Sequence, residues 1–320
     1  MDMGLTEKKN RTEKTLLRSI ANYILESVGT PANLAQAIED FPILLVQPGA
    51  DTQHNGVSVN SISAGDIVRW DRLGYTFRGR SGVVNGWEVV GGRYQGDNIH
   101  LEALKSFGKE EESEDWTCDI KEVFGLSSSK SNLKLFTSMD AMVETNSREM
   151  IEPVTEEKML KNLEHGEIRI LRDCREDFFA VYEWDGRIFL MNTGGSHHFA
   201  AARYIAGKLS LPVPLAGRLV KRSINAESLS LLLQDFEMLL ISNEPSAYCA
   251  FHDAMRSFLA NYFWIEAPQG FCHNSRIILL PRDKPRSVKV TSLLLNAGAF
   301  DVGEHLRKMV GKQEQHSTPS

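Results

Sequence analysis

The sequence predicts an α+β protein built on a mixed sheet, with an amino-terminal β-rich region before the core and carboxy-terminal helices after it. Three observations carry this. Ten glycines between residues 49 and 96 break that stretch into short β segments. Between 165 and 224 come three closely spaced β segments, a glycine turn, an alanine-rich helix and a proline-bearing strand. After residue 225, two long stretches repeat apolar residues at spacings of three and four. The expected divisions are therefore 1–150, a core over 151–224, and 225–320.

Taken in order, Leu16, Leu17, Ile20, Tyr23, Ile24 and Val28 place an apolar stripe on a helix that starts at Thr12 and is ended by Gly29 and Pro31. A short helix over Ala32–Ile38 and a buried strand over Phe41–Val46 follow. Asp66–Trp70 and Trp87–Val90 are expected as β segments. The eight acids and three bases between Glu102 and Glu122 predict a solvated loop. Ser127–Ser131 reads as a flexible connector and Asn132–Phe136 as a strand. A helix from Thr155 to Leu163 closes at Gly166. Ile168–Leu171, Phe178–Trp184 and Arg187–Met191 are β segments, the last two joined by Asp185-Gly186, a hairpin signal because a type I′ turn needs positive φ at both central residues. The helix that begins near His197 stops at Gly207, and Leu211–Val220 is a strand. Ala226–Ile241 and Ser246–Phe263 predict helices, Ile277–Leu280 and Val288–Val290 a strand pair, and Phe300–Val310 a last helix.

Composition bounds the function. The 320 residues are 42% apolar and 24% charged with a mean hydropathy of -0.26, which excludes collagen, whole-chain disorder and coiled coil. A net charge of -6 argues against a uniform nucleic-acid-binding surface but leaves room for a local basic patch. Cys118, Cys174, Cys249 and Cys272 form neither a CxxC pair nor a secreted disulfide framework, so reduced thiols in a cytoplasm are expected. No stretch approaches the roughly 20 apolar residues of a membrane span.

From Gly186 to Ala226 there is no Asp or Glu, whereas the chain average of 42 in 320 would put about five there. Arg187, Arg203, Lys208, Arg218, Lys221 and Arg222 lie in the same span, which predicts an electropositive concavity. Within it a strand runs into Gly194-Gly195 and directly onto a helix. Such a turn frees backbone N–H groups at the positive end of the helix dipole, where anions bind. Ser196 could cap the helix, donate to an anion or act as a nucleophile. The adjacent His197 and His198 cannot both face the core, and one is expected to meet whatever binds. No third ligand stands at a zinc-like spacing, so no resident metal is expected.

The run Ile188–Met191, Asn192-Thr193, Gly194-Gly195-Ser196-His197-His198-Phe199-Ala200-Ala201, a helix, then Leu211-Pro212-Val213-Pro214-Leu215 resembles the ParB/sulfiredoxin superfamily over about residues 165–224. Sulfiredoxins carry Gly-Gly-Cys-His-Arg-aromatic-x-Ala at that turn, and ParB-like proteins a Gly-x-x-Arg-Arg box. The resemblance implies a ParB/sulfiredoxin-like core with a nucleotide site at the turn, for ATP or CTP with Mg²⁺, as in sulfiredoxin, ParB and the related free-serine kinases. By position, Gly194, Gly195 and His197 approach the phosphates. Two departures matter. Ser196 replaces the reactive cysteine, so sulfinic-acid reduction through a thiol is not expected. His198 replaces the family arginine and supplies less charge to a phosphate. Asp235, Glu237, Glu244 and Asp253 make the following helices acidic, unlike a DNA-reading helix-turn-helix.

The expected function is thus nucleotide binding with phosphohydrolase or phosphotransferase chemistry. Gly194, Gly195, His197 and His198 form the cradle, and Arg203 or Arg218 neutralises developing charge. Ser196 or His197 serves the chemistry, with Glu167 or Asp173 as base or magnesium ligand. The alternative is a non-catalytic module, of phage or mobile-element origin, whose degenerate site holds a phosphate or nucleic acid while other regions bind a protein partner. A ParB-like nuclease would need a metal cluster that the sequence does not assemble.

Overall fold

A run such as Phe236-Glu237-Met238-Leu239-Leu240-Ile241 holds too many consecutive apolar residues for one helical stripe. It can be buried only if alternate side chains meet different cores, which is what a strand covered on both faces does. The computed structural model describes residues 17–49, 60–76, 79–80, 82–172 and 176–317, and it resolves the chain into two such sheets.

In chain order the elements are α1 (17–27), α2 (Ala32–Asp40), a small ribbon of β1 (Tyr75–Thr76) and β2 (Gly79–Arg80), β3 (Val83–Val90), β4 (Arg93–His100), α3 (Glu102–Lys105), β5 (Gly108–Asp119) and β6 (Val123–Leu126). Next come α4 (Met139–Asn146), α5 (Arg148–Ile151), α6 (Glu156–Leu163), β7 (Phe178–Tyr182), β8 (Ile188–Met191), α7 (Ser196–Leu209) and β9 (Pro214–Ile224). The chain ends with α8 (Ala226–Asp235), β10 (Phe236–Ser242), α9 (Pro245–Ser257), β11 (Tyr262–Glu266), β12 (Ser275–Pro281), α10 (Pro285–Asn296), β13 (Phe300–Asp301) and α11 (Val302–Ser317).

The five-stranded sheet, in the order β5-β9-β7-β8-β6, is mixed as expected: β9 with β7 and β8 with β6 are parallel, the other two pairs antiparallel. The six-stranded sheet, β13-β10-β12-β11-β3-β4, is antiparallel throughout and was not foreseen. It joins β3 and β4, from the glycine-rich amino-terminal stretch, to strands beyond residue 235, so the expected divisions at 150 and 224 do not coincide with sheet boundaries. Period-two alternation sorts the side chains into three cores. Met238, Leu240, Ile277 and Leu279 share a cluster with Ala180, Tyr182 and Phe189 of the other sheet. Leu239, Ile241, Ile278 and Leu280 face α2, α9 and α10. Phe179, Leu190 and Leu219 pack with the alanine face of α7 and with α4.

Several local expectations are corrected. The helix predicted over Ala226–Ile241 ends at Asp235, because the following side chains alternate between two cores instead of sharing one stripe. The helix predicted over Ser246–Phe263 ends at Ser257 for the same reason, and Tyr262 and Phe263 begin β11. Phe41–Val46, Asn132–Phe136 and Ile168–Leu171 are not strands but hold single 3₁₀ turns at Pro42–Leu44, Leu133–Leu135 and Arg169–Leu171. Asp66–Trp70 holds no strand either, and Val288–Val290 sits inside α10. The acidic loop is the twelve-residue strand β5. Between β7 and β8 only Gly186 has positive φ, at 81°, and the last register pair is Val181 with Ile188, so the connection is wider than a two-residue I′ turn. Gly207 does not stop α7; the helix runs to Leu209 and is closed by Ser210 in the left-handed region.

The amino-terminal helix is inverted relative to expectation. It docks through polar groups, with Arg18 on Glu39, Asn22 on Asn33 and the Glu26 carboxylate accepting from Ser257, while Leu17, Ile20, Tyr23 and Ile24 are exposed. Its expected start, Thr12 to Leu16, lies outside the described residues. Among the described residues no helix is long and apolar enough to cross a membrane.

The strand assignment of β10 has a direct consequence for stability. Met238 would fall off the apolar stripe of a helix but is fully buried in the strand. Met238→Ala should therefore lower the unfolding free energy by about 2–5 kcal/mol in urea denaturation. A cost within about 0.5 kcal/mol, the range typical of surface positions, would contradict the strand.

Candidate functional site

The end of β8 is held by one buried side chain. Asn192, 3% exposed, accepts the N–H groups of Ser127 and Ser128 on Oδ1, each at 3.2 Å, and donates Nδ2 to the carbonyls of Ser128 and Gly194 at 2.9 and 3.0 Å. The serine run expected to be a loose connector is thereby fixed beside the glycine turn. Thr193 donates its N–H and its hydroxyl to Asp177 Oδ1, both at 2.9 Å, and receives Arg169 at 2.6 Å.

Gly195 then turns the chain into α7. Its φ is +67°, and a Cβ there would lie 2.8 Å from the carbonyl carbon and oxygen of Glu167. Only glycine permits both the conformation and that approach. Gly195 is also the helix N-cap, so Ser196 is the first helical residue and does not cap it. The buried Ser196 hydroxyl instead donates to Ser129 Oγ at 2.9 Å. The first intrahelical bond runs from the Phe199 N–H to the Gly195 carbonyl, which leaves the N–H groups of Ser196, His197 and His198 ahead of the ladder.

These groups border a cavity of about 410 Å³ lined by Ser128–Lys130, Met150, His165, Glu167 and Thr193–His198. Gly194, Gly195, Ser196, His197, His198 and Glu167, expected as site residues, thus come together. Glu167 lies on the turn before Ile168 and not on a strand, and its Oε2 accepts the Gly195 N–H at 3.2 Å. One amide of the expected cradle is therefore held by a carboxylate of the chain itself.

Both histidines are half-buried, and both line the cavity. Ser131 Oγ receives the Asn146 amide at 2.8 Å and lies 2.9 Å from His197 Nε2, a pair satisfied when the hydroxyl donates to the ring. Burial, aided by Lys130 and opposed by Glu149, holds His197 below the usual imidazole value. Burial also lowers His198, together with His165 and His197 and against Glu167. Both rings are thus neutral at pH 7.

The electropositive concavity is not formed by the six cations. Four are engaged: Arg187 with Asp185, Arg203 with Asp140, Arg218 with Glu112 and Arg222 with Glu110. Arg203 also donates to the carbonyls of Val123 and Lys121, which ties α7 to the entry of β6, and Arg218 stacks over Phe178. Neither lines the cavity, so their expected role at the phosphates is corrected. The acid-free span is matched by the acid-rich β5 in register, Glu110 opposite Arg222 and Glu111 opposite Lys221. Asp173 lies outside the described residues. Among the described residues no cluster of three His, Cys, Asp or Glu could hold a metal.

Ser128–Ser131, Lys130, Asn162 and His165 were missed. Their signal was a serine run followed at a distance by His165-Gly166-Glu167, too dispersed to connect without the fold.

Residues 113–319 match the family model described as a family of unknown function, DUF6685. The chain belongs to that family. The DUF6685 match begins inside β5 and contains every residue that lines the cavity, whereas α1, α2, β3 and β4 lie outside it. No curated protein matches the chain, and no solved structure does.

The turn's geometry is testable at two glycines of one helix. Gly195→Ala should cost about 1–3 kcal/mol in urea denaturation, from left-handed strain and the displaced Glu167 backbone. Gly207→Ala, where a Cβ meets nothing within 4 Å, should gain about 0.5–1 kcal/mol. Equal effects would refute the close approach at Gly195.

Proposed function

We propose that the cavity at the start of α7 binds the phosphates of a nucleotide, ATP or CTP with Mg²⁺, and supports hydrolysis or transfer of the terminal phosphoryl group. The observation that carries this reading is the row of N–H groups at Ser196, His197 and His198 that precede the first intrahelical bond, on residues that line a cavity of about 410 Å³. That volume lies within the range of small-molecule pockets, about 300–1,000 Å³. The helix dipole adds positive potential at the same point, Lys130 supplies a cation at the rim, and the hydroxyl of Ser129 adds a donor. On this reading residues 165–224 are a ParB/sulfiredoxin-like core whose phosphate affinity comes from backbone and Lys130 instead of the motif arginine.

Among the described residues Glu167 is the single carboxylate on the cavity wall and would hold the magnesium together with phosphate oxygens, a donor set that suits Mg²⁺, which keeps water and phosphate ligands and needs few carboxylates. Bound there, the ion would neutralise charge on the phosphates. Ser129 would orient the phosphate chain, and Lys130 would hold its free end.

The second reading, a non-catalytic phosphate, nucleic-acid or protein-interaction module, draws on the Glu167 carboxylate seated on the Gly195 N–H and on the engagement of Arg203 and Arg218 elsewhere.

Thermal-shift and equilibrium-dialysis titrations with ATP, CTP, GTP and ADP plus Mg²⁺ should give saturable binding of ATP or CTP. The ligand should stabilise the fold by about 2.7 kcal/mol at a hundred times Kd. Lys130→Ala and His197→Ala should each weaken binding about tenfold, the equivalent of about 1.4 kcal/mol. Absence of saturable nucleotide binding would overturn the proposal, and binding with neither phosphate release nor a labelled acceptor would leave the module reading in its place.

A further inference from the structure

Asn162 on α6 is 4% exposed and fully committed. Its Nδ2 donates to the carbonyls of Met150 and Lys158, at 2.9 and 3.0 Å. A flipped amide would set its oxygen against those two carbonyls, so Oδ1 faces the remaining neighbour, His198 Nδ1, at 3.0 Å. An amide oxygen only accepts. The hydrogen of His198 therefore sits on Nδ1, and the neutral ring keeps its lone pair on Nε2.

His165 lies over that ring with centroids 3.7 Å apart and planes 13° from parallel. Its Nδ1 accepts the Glu167 N–H at 3.4 Å, which places its hydrogen on Nε2. Two stacked imidazoles on the wall of one cavity thus take opposite tautomers, one with a free lone pair on Nε2 and the other with an N–H there.

We propose that His198 Nε2 is the general base of the pocket, that His165 Nε2–H donates to a phosphoryl oxygen, and that Asn162 is the positioning residue that fixes the base. The inference rests on the nucleotide reading above and adds the residue that performs its chemistry. As the oxygen of a water or acceptor hydroxyl bonds to the terminal phosphorus, its proton passes to His198 Nε2. The bond from phosphorus to the bridging oxygen breaks, and its electron pair leaves with the nucleoside diphosphate. The imidazolium then returns the proton to solvent. Burial and the neighbours His165 and His197, opposed by Glu167, keep His198 in its neutral, accepting form at pH 7.

The test uses the full chain with ATP or CTP and Mg²⁺, measuring binding and phosphate release separately. His198→Gln should lower turnover about 10²–10⁴-fold while Kd changes by less than about threefold. The acid limb of the wild-type pH profile should vanish with it. Asn162→Asp, which places a carboxylate on the Nδ1 hydrogen, should move that limb to higher pH. Imidazole ¹⁵N shifts of the unsubstituted protein at pH 7 should show the Nδ1–H tautomer for His198 and the Nε2–H tautomer for His165, a readout that needs no variant. An Nε2–H tautomer at His198, unchanged turnover in His198→Gln, or binding without any turnover would overturn the inference and leave nucleotide binding standing. Failure of any nucleotide to bind would remove the reading beneath it as well.

Discussion

The contact on which the site depends is the one between Gly195 and the backbone of Glu167. A missing side chain lets the end of β8 approach the turn before Ile168 closely enough for the Gly195 N–H to reach the Glu167 carboxylate. That approach sets where α7 begins, and so where its first N–H groups point. It also brings His165, two residues before Glu167, over His198, three residues after Gly195. The cavity is the space left between the two segments, and Asn192 holds its third side by fixing the serine loop.

Charge is distributed by pairing across strands more than by patches. The acid-free span looked like an electropositive surface because its partners lie a hundred residues earlier, in a segment that looked like a solvated loop. Brought together as β5 and β9, the two runs cancel along a ladder, and such exposed pairs contribute little stability each, about 0–1 kcal/mol. Lys130, by contrast, lines the cavity.

Much of this was legible in the sequence where the signal is local. The β7–β8 hairpin, the glycine turn, α7 and the proline-bearing β9 were readable because each carries its own punctuation: Gly186, Gly195 and the prolines at 212 and 214. β10 and β11 were hidden because an apolar run buried on both faces has no visible period, and the preceding helices α8 and α9 lent it theirs. The site was half legible. Gly194, Ser196, His197, His198 and Glu167 stand in or near the motif, but Asn162, His165 and Ser128–Ser131 become neighbours only through the sheet. Arg203 and Arg218 misled because a cation's partner cannot be read from its own segment.

The position of β5 at the end of its sheet has one more consequence. Residues 109–115 are exposed along an edge that pairs with β9 on one side only, and Glu110, Glu111, Glu112, Glu114 and Asp115 stand among them. An open edge of this length invites a foreign strand to add to it, the first step toward aggregates. A second molecule offering the same segment would set acid against acid at most registers, so the acids that balance β9 within the molecule also keep neighbouring molecules apart.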